Sequence, residues 1–431
     1  MSVPYDAALA ALQGAGRLPA VAAGVARGGE PVWRGCVSVL PEVSVDSAFR
    51  IGSITKTMTA VLVLQLRDEG RLSLADPIGR FVPETGYADA TMGDLLSHVA
   101  GLQSEPVGPW WERVDGGPVA DLLAANNGSG RVARAGDFYH YSNLGYALLG
   151  EAVARLRGRA WWAVVQERLL GPLAMGATSY LPPEDHAPGS SVDHFAHTLT
   201  VEPLSDTGAM APAGQLWSTV GDLLRWADFL VVGHTDVLTA ETLAEMAEPV
   251  APVKAATAYG LGLRVLRAGG RTMVGHTGSM PGFQASLFVE RASRDAVVAL
   301  ASSTTGLSAE RVPEALLDGG LPDAAPWSPS AHPVPARVAE LLGLWFWGHT
   351  AFGFEWVGGS LVARDLRGGE LHERFVLDEQ GFVGAEGYHR AERLEVHRHD
   401  DGSVDHLECA TFVYTRVPYD PRVTIPGGHP A

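Results

Sequence analysis

The stretch 49–60 (FRIGSITKTMTA) constrains the fold most, because it indicates a strand end that turns through Gly52 directly into a long apolar helix. Apolar residues recur at helical spacing from Ile54 to Leu66, and Glu69-Gly70 has the composition of a helix end. We expect this helix to be buried centrally, so that the rest of the domain packs around it.

Ser53 and Lys56 lie three positions apart at the start of this helix, and residues at that spacing are neighbours on a helix surface. A lysine whose pKa is lowered by its surroundings supplies the neutral amine that can take the proton of a serine hydroxyl. The unpaired N–H groups of a first helical turn also disfavour a second positive charge and favour a developing oxyanion. We predict Ser53 as a nucleophile and Lys56 as its base, with a solvated lysine at an ordinary helix start as the alternative.

Lysine usage adds to this prediction. The chain has 32 lysines and arginines together, and only Lys56 and Lys254 are lysines. Arginine cannot be deprotonated in a protein, so the use of lysine at position 56 indicates that a titratable amine is needed there. The Ser-x-x-Lys pattern alone is weak evidence, since chance produces it about once in eight such chains.

Composition bounds the class of protein. A length of 431 residues predicts two or three domains, and 46% apolar with 19% charged residues is typical of a globular chain with a large core. The net charge of −17 argues against nucleic-acid and anionic-membrane partners, although solubility alone would explain it.

The two cysteines and the N-terminus give further expectations. Cys36 and Cys409 lie far apart, which gives neither a disulfide framework nor a zinc spacing, so we expect inert thiols, no metal and no cofactor. Residues 1–6 lack a basic region followed by a continuous apolar one, and no window holds eighteen unbroken apolar residues. These patterns predict a cytoplasmic chain, unless an export signal has been removed.

Residues 76–230 have helical periodicity broken by glycine and proline, which predicts a helical subdomain with helices over 91–98, 119–125, 144–156 and 219–230. Within it, Tyr141 and Asn143 stand two positions apart in a polar, aromatic loop, so both side chains would point to one side. A phenol can relay a proton, especially beside a cationic lysine that favours the phenolate, and an amide can hold a substrate amide. The alternative is that Asn143 caps the next helix while Tyr141 packs.

The third candidate segment is 271–282, which is followed by strand-like runs over 283–289 and 296–302. A strand carrying His276, Thr277 and Gly278 could line the edge of a cleft. Glycine there lets a backbone N–H approach a ligand, so the amide of Ser279 could join that of Ser53 as an oxyanion donor. An isolated strand histidine is more often structural.

Taken in order, three motifs resemble those of the serine β-lactamase and DD-peptidase superfamily, in its branch of class C-like enzymes, esterases and D-aminopeptidases: Ser53-x-x-Lys56, Tyr141-x-Asn143 and His276-Thr277-Gly278. The resemblance covers about residues 7–303, and the stretches 95–102, 141–146 and 259–262 are also typical of that branch. It implies an α/β (α+β) fold in which helices flank an antiparallel sheet beside a helical subdomain.

The resemblance also implies roles: Ser53 as the acylated nucleophile, Lys56 as the activating amine, Tyr141 as the proton relay, Asn143 as a substrate-amide ligand and His276 as a substrate-side residue on an edge strand. One departure matters, because β-lactamases usually carry lysine at the position of His276. Histidine is only partly charged near neutral pH. The histidine at position 276, together with the expected lack of an export signal, favours esterase or amidase activity over hydrolysis of antibiotics or of cell-wall peptides.

The C-terminal part is expected to be separate. We predict a hydrolase-like domain over 1–318, a proline-rich linker over 319–337 and a β-rich domain over 338–431, either a small barrel or a sandwich. The family often appends a lipocalin-like barrel. A hairpin is predicted from strands over 394–398 and 406–415, and the tryptophans of this domain form either a ligand pocket or a packed core.

The sequence therefore predicts a serine hydrolase that acts through an acyl-enzyme on an ester or amide. A β-lactamase or D-Ala-D-Ala carboxypeptidase is one alternative, and a catalytically silent scaffold is another. The expected partner is a small-molecule or short-peptide substrate, without nucleic acid or membrane, and a homo-oligomer is left open.

Overall fold

In the computed structural model, which describes residues 5–268, 270–319, 324–420, 422 and 424, the chain divides into two units. The first comprises Met1–Ser191 and Val201–Trp327, and the second comprises Val192–Thr200 and Ser328–Ala431. Part of the predicted linker, residues 320–323 with Pro322, lies outside the described residues.

An eight-stranded antiparallel sheet forms the centre of the first unit, in the order β2-β1-β12-β11-β10-β9-β8-β7. Separate two-stranded pairs are formed by β3 with β6 and by β4 with β5. The strands are β1 Ala20–Arg27, β2 Glu30–Ser38, β3 Phe49–Arg50, β4 Ser190–Val192, β5 Leu199–Val201, β6 Trp217–Ser218, β7 Ala251–Lys254, β8 Thr257–Tyr259, β9 Arg264–Ala268, β10 Arg271–Met280, β11 Phe283–Glu290 and β12 Ala296–Ala301.

Helices cover both faces of this sheet, as two separate apolar clusters show. The α-helices of the first unit are α1 Tyr5–Gly16, α2 Thr55–Asp68, α3 Met92–Leu96, α4 Val119–Ala125, α5 Asn143–Arg157, α6 Trp161–Val165, α7 Ala211–Gly214, α8 Val220–Val232 and α9 Ala240–Met246. Short 3₁₀ turns span Gly52–Ile54, Ile78–Arg80, Gly208–Met210 and Ala309–Arg311, and π-helical turns span Gln166–Leu170 and Glu314–Asp318. The predicted antiparallel sheet with flanking helices is confirmed.

The predicted helices of the subdomain form with small shifts in their bounds. Helix α4 has the predicted bounds, and α5 and α8 differ from prediction by one or two residues at each end. The predicted helix over 91–98 is wrong at its end. It stops at Leu96 because His98 has a φ of 58°, which a right-handed helix cannot contain.

Helix α2 is central, as predicted. Every side chain from Thr55 to Leu66 is buried, including polar ones whose hydrogen-bonding groups are satisfied inside the unit. Thr59 donates to the carbonyl of Pro212 at 2.9 Å, and Gln65 donates to that of Val237 at 2.8 Å. Gly52 starts the turn into this helix with a φ of 51°, which a glycine adopts at no steric cost.

Strand β10 extends past its neighbour β9. The pairing between them ends where Gly275 faces Arg264, so residues 276–280 are paired with β11 alone. The expectation of a sheet-edge strand at His276 is therefore wrong for the sheet as a whole, because β10 lies inside it. The expectation holds locally, since the shorter β9 leaves this half of β10 with one open side.

Eight strands of the second unit close into an antiparallel barrel, in which Phe346 of the first strand pairs with Thr415 of the last. The elements are α10 Ala336–Ala339, β13 Gly343–Trp347, β14 Thr350–Val357, β15 Ser360–Asp365, β16 Leu371–Asp378, β17 Gly381–Gly387, β18 Arg393–Arg398, β19 Val404–Cys409 and β20 Phe412–Thr415. The barrel, rather than the sandwich, is the correct alternative. Trp345 and Trp356 belong to its packed core.

One detail of this unit differs from prediction. The single strand expected over 406–415 is two strands, because the chain reverses at Ala410, whose φ is 53°. The second unit also includes the segment Val192–Thr200, which precedes the predicted division at residue 318 in the sequence. There the N–H of Trp356 donates to the carbonyl of Phe195 at 2.8 Å.

Among the residues that the structure describes, none of the helices has the length and apolar character needed to cross a bilayer.

The contact between β10 and the turn before α2 gives a stability prediction. A Cβ atom at Gly278 would lie 2.0 Å from the carbonyl oxygen of Ile51, so Gly278→Ala should destabilise the first unit by about 1–3 kcal/mol. Gly176→Ala is the matched control, because a Cβ there meets no atom within 4 Å. Chemical denaturation measures both variants, and equal stability of the two would contradict the close approach.

Candidate active site

Ser53 and Lys56 meet as the spacing predicted. Lys56 Nζ lies 2.9 Å from Ser53 Oγ and donates to the carbonyl of Ala213 at 2.6 Å. The lysine side chain is completely buried on the inner side of α2, so the alternative of a solvated lysine is wrong. A buried amine that is held against a serine hydroxyl can accept its proton once the amine is neutral.

Burial is the main reason that this amine can be neutral. Loss of water is the main cause that lowers the pKa of Lys56 to about 7, and the nearby Arg264 contributes in the same direction. The carboxylates of Glu105 and Glu112 act in the opposite direction. A pKa near 7 leaves a large fraction of the amine unprotonated at neutral pH, as general-base catalysis requires.

Tyr141 lies against the same amine. Its ring centroid is 4.9 Å from Lys56 Nζ, and its hydroxyl interacts with that of Ser53. Burial raises the pKa of Tyr141, and the hydrogen bond with Ser53 only partly opposes this. The expectation that the lysine favours the phenolate is therefore wrong at neutral pH, where Tyr141 is a neutral phenol that can donate a proton.

Asn143 does not cap α5. The cap is Ser142, whose hydroxyl accepts from the N–H of Gly145 at 3.0 Å and donates to the carbonyl of Gln103 at 2.6 Å. The amide of Asn143 donates instead to Glu105 Oε1 at 2.7 Å. It is thereby oriented by a carboxylate, as a substrate-binding amide needs to be.

His276 is a neutral, doubly hydrogen-bonded residue. Its Nδ1 contacts the carbonyl oxygen of Thr277, which can only accept, so Nδ1 carries the proton and Nε2 accepts from the Tyr259 hydroxyl at 2.9 Å. Burial, with Arg264 and Lys56 nearby, lowers the pKa of His276 well below its usual value. The structure therefore favours the structural alternative over an anion site at His276.

The cavity holds a permanent cation that the motifs did not reveal. Arg264, at the start of β9, donates through Nη1 to Glu310 Oε1 at 2.7 Å, and Lys254 forms an ion pair with the same carboxylate. These two cations share the one carboxylate of Glu310, and the carboxylate of Glu112 also lines the cavity. A sequence signal did exist, because Arg264 follows the 259–262 stretch and precedes the His276 strand.

The candidate residues surround one cavity of about 700 Å³ in the first unit. Gly278 and Ser279 lie on the open side of β10, and the amide nitrogen of Ser279 would be 2.6 Å from a Cβ atom built on Gly52. Lys56 lies beneath Ser53, and the lining residues are Ser53, Glu112, Tyr141, Asn143, Lys254, Arg264, His276, Thr277, Gly278, Ser279, Gln284, Ser308, Ala309, Glu310 and Arg311.

Known proteins share this architecture. A family described as Beta-lactamase matches residues 5–320, and a Domain of unknown function (DUF7586) matches residues 334–416. The D-stereospecific amidohydrolase from Streptomyces sp. superposes with a TM-score of 0.62 and 25% identity, covering 73% of this chain and 99% of that one. The octameric penicillin-binding protein homologue from Pyrococcus abyssi gives 0.64 at 20% identity and covers 94% and 97%.

Curated relatives match parts of the sequence. Penicillin-binding protein 4 of Amycolatopsis lactamdurans is 29% identical over 70% of this chain and 85% of its own length. D-alanyl-D-alanine-carboxypeptidase/endopeptidase AmpH of Escherichia coli (strain K12) is 30% identical over 42% of this chain. Beta-lactamase-like protein 2 of Dictyostelium discoideum is 29% identical over 49% of this chain. The matched segments span 48% of AmpH and 40% of the Dictyostelium protein, so the chain spans less than half the length of those two relatives.

These matches confirm the resemblance that the three motifs predicted. Together with the sheet, its flanking helices and the serine–lysine pair, they show that the chain belongs to the beta-lactamase family, within the serine β-lactamase and DD-peptidase superfamily.

Proposed function

We propose that this chain is a serine hydrolase that works through an acyl-enzyme. Neutral Lys56 takes the proton of Ser53 while Oγ attacks a carbonyl carbon, and the N–H groups of Ser53 and Ser279 stabilise the oxyanion. The intermediate then expels an amine or alcohol, which receives its proton through Tyr141. Water attacks the acyl-enzyme, Lys56 takes its proton, and the acid is released as Ser53 is restored.

One observation carries this proposal: a fully buried lysine amine 2.9 Å from a cavity-lining serine hydroxyl. Burying a lysine costs free energy that an apolar residue of similar size would avoid. Strongly perturbed ionisable groups in clefts are concentrated at catalytic sites. This argues against the silent scaffold, which has no use for a basic amine at this position.

We further propose that the substrate bears a carboxylate on its leaving-group side, as the C-terminal residue of a short peptide does. Arg264 lines the cavity, and its Nε is buried with no hydrogen-bond partner among the described residues. A guanidinium is well suited to bind a carboxylate through two donors. With this cation present, the neutral state of His276 no longer disfavours carboxypeptidase-like or β-lactam substrates, and AmpH is named as a carboxypeptidase.

A second candidate is an amidase or aminopeptidase that binds a substrate ammonium group. Glu112 lines the same cavity, and burial raises the pKa of its carboxyl. The similar Streptomyces protein is named as an amidohydrolase. Faster turnover of amides with a free amino group than of their N-acetylated forms would favour this candidate, whereas the reverse order would favour the carboxypeptidase-like one.

Several expectations stay predictions for this chain. These are the esterase activity, the cytoplasmic location, the homo-oligomer and the division at residues 318 and 338. The octameric state belongs to the similar Pyrococcus abyssi protein. Sedimentation of the full chain would measure its own assembly.

The covalent step predicts how two variants respond to a fluorophosphonate probe. Ser53→Ala should lose labelling, and its kcat should fall by several orders of magnitude because the nucleophile is gone. Lys56→Arg should be nearly as inactive, since it keeps the charge but cannot accept a proton. Ser308→Ala removes another cavity hydroxyl and should keep full labelling. Labelling of Ser53→Ala at the normal rate would contradict the proposal.

The carboxylate site predicts a specificity change in Arg264→Gln. KM for a peptide with a free C-terminal carboxylate should rise about 10- to 100-fold, because a charge-assisted hydrogen bond is lost. KM for the C-terminal amide of the same peptide should change little, which separates recognition from any effect on Lys56.

Two controls sharpen this test. Arg311→Gln removes a rim cation that is paired with Glu314, and it should leave both KM values within about twofold. Since arginine does not titrate, the two peptides should also share one KM profile between about pH 5.5 and 8.5. If KM rose with increasing pH for the free-acid peptide alone, the carboxylate would be bound by His276 and not by Arg264.

A further inference from the structure

A hairpin loop in the barrel places three metal-binding side chains together. The loop between β17 and β18 carries His389 and Glu392, and β19 ends at Cys409. One ligand atom from each lies within 4.8 Å of the others. We propose that His389, Glu392 and Cys409 form a zinc site and that Glu373 orients the histidine.

The imidazole of His389 is held as metal-binding histidines are. Its Nδ1 is 2.9 Å from Glu373 Oε1, and both residues are fully buried. The same carboxylate accepts the backbone N–H groups of Tyr388 at 3.1 Å and of His389 at 3.3 Å. A carboxylate that accepts from these groups fixes the proton on Nδ1 and leaves Nε2 with a free lone pair, as in carboxylate–histidine–zinc arrangements.

That free nitrogen has nothing to bind in the described part of the chain. His389 Nε2 is buried and has no hydrogen-bond partner there, and the nearest carboxylate oxygen, Glu392 Oε2, is 4.0 Å away. Such an orphaned atom is costly unless a ligand or water satisfies it. Ligand atoms around a bound zinc are separated by about 3.3–3.8 Å, so a small rotation of Glu392 and Cys409 would complete the site.

Two glycines let the backbone approach closely enough to hold this geometry. A Cβ atom at Gly387 would lie 2.2 Å from Glu373 Oε2, and one at Gly384 would lie 2.1 Å from the carbonyl oxygen of His389. The loop is further fixed by the N–H of Gly384, which donates to the carbonyl of Glu392 at 2.8 Å. The scaffold around the three side chains is therefore preorganised.

The ligand set favours zinc. A thiolate, an imidazole and a carboxylate are its usual protein ligands, and three of them leave a fourth position for water or another small ligand. Glu392 is 51% exposed, so the ion could exchange with solvent from that side. Cys409 itself is fully buried, which disfavours a role as a nucleophile toward a substrate. This inference replaces our expectation that Cys409 is inert.

Metal binding by the full chain tests the proposal. After treatment with a chelator and dialysis, the protein should rebind one equivalent of zinc, and cobalt in its place should show thiolate-to-metal absorption. Cys409→Ser should abolish that absorption, and Glu373→Gln should weaken zinc binding about 10- to 100-fold through loss of the orienting carboxylate. Cys36→Ser is the matched control and should bind like the unchanged chain.

The remaining outcomes also decide the matter. If Cys409→Ser does not fold, Glu392→Gln at the exposed ligand replaces it and should weaken binding at least about tenfold. Absence of zinc binding would overturn the proposed site, as would zinc binding that is unchanged in both Cys409→Ser and Glu392→Gln. Loss of zinc in His397→Gln alone would assign the metal to the other cluster, His397, His406 and Glu408, and would equally overturn it.

Discussion

The contact between the Lys56 amine and the Ser53 hydroxyl is the interaction on which the proposed chemistry of the first unit depends. A charged amine at a fully buried position is unfavourable, so burial lowers the pKa of Lys56. The amine is then partly in the neutral form, which can accept a proton. Lys56 lies on α2, whose side chains are buried from Thr55 to Leu66, and Ser53 lies in the 3₁₀ turn just before it. Gly52 and Gly278 permit the backbone approach that places Ser53 at the open side of β10. The packing around α2 therefore gives Lys56 the pKa that a general base requires.

The cavity around that pair has two electrostatic sides. Glu105 and Glu112 raise the pKa of Lys56, and Arg264 lowers it, so the charges that would recognise a substrate also adjust the base. Binding of a carboxylate at Arg264 would weaken its effect on the lysine. Substrate charge and catalytic basicity are thus coupled through short distances in a site of low dielectric constant.

The sequence predicted those features that depend on local pattern. The periodicity of α2 and the order of the three motifs identified a central helix and eight candidate residues, and all but the buried Lys56 line one cavity. It could not predict contacts between distant segments. Arg264 matters because β9 begins opposite Gly275, and the proposed ligands at 389, 392 and 409 meet only after the barrel closes. The reversal at Ala410 was missed because no glycine marks that positive φ.

The most direct test of the central claim is a pH titration of the two lysines by NMR in protein labelled at the lysine side chains. Only Lys56 and Lys254 are present, and Lys254→Arg assigns the two signals. The Lys56 signal should titrate near a pKa of about 7. Titration of the Lys56 signal near the ordinary lysine value of about 10.4 would show that Lys56 remains charged at neutral pH and cannot be the base.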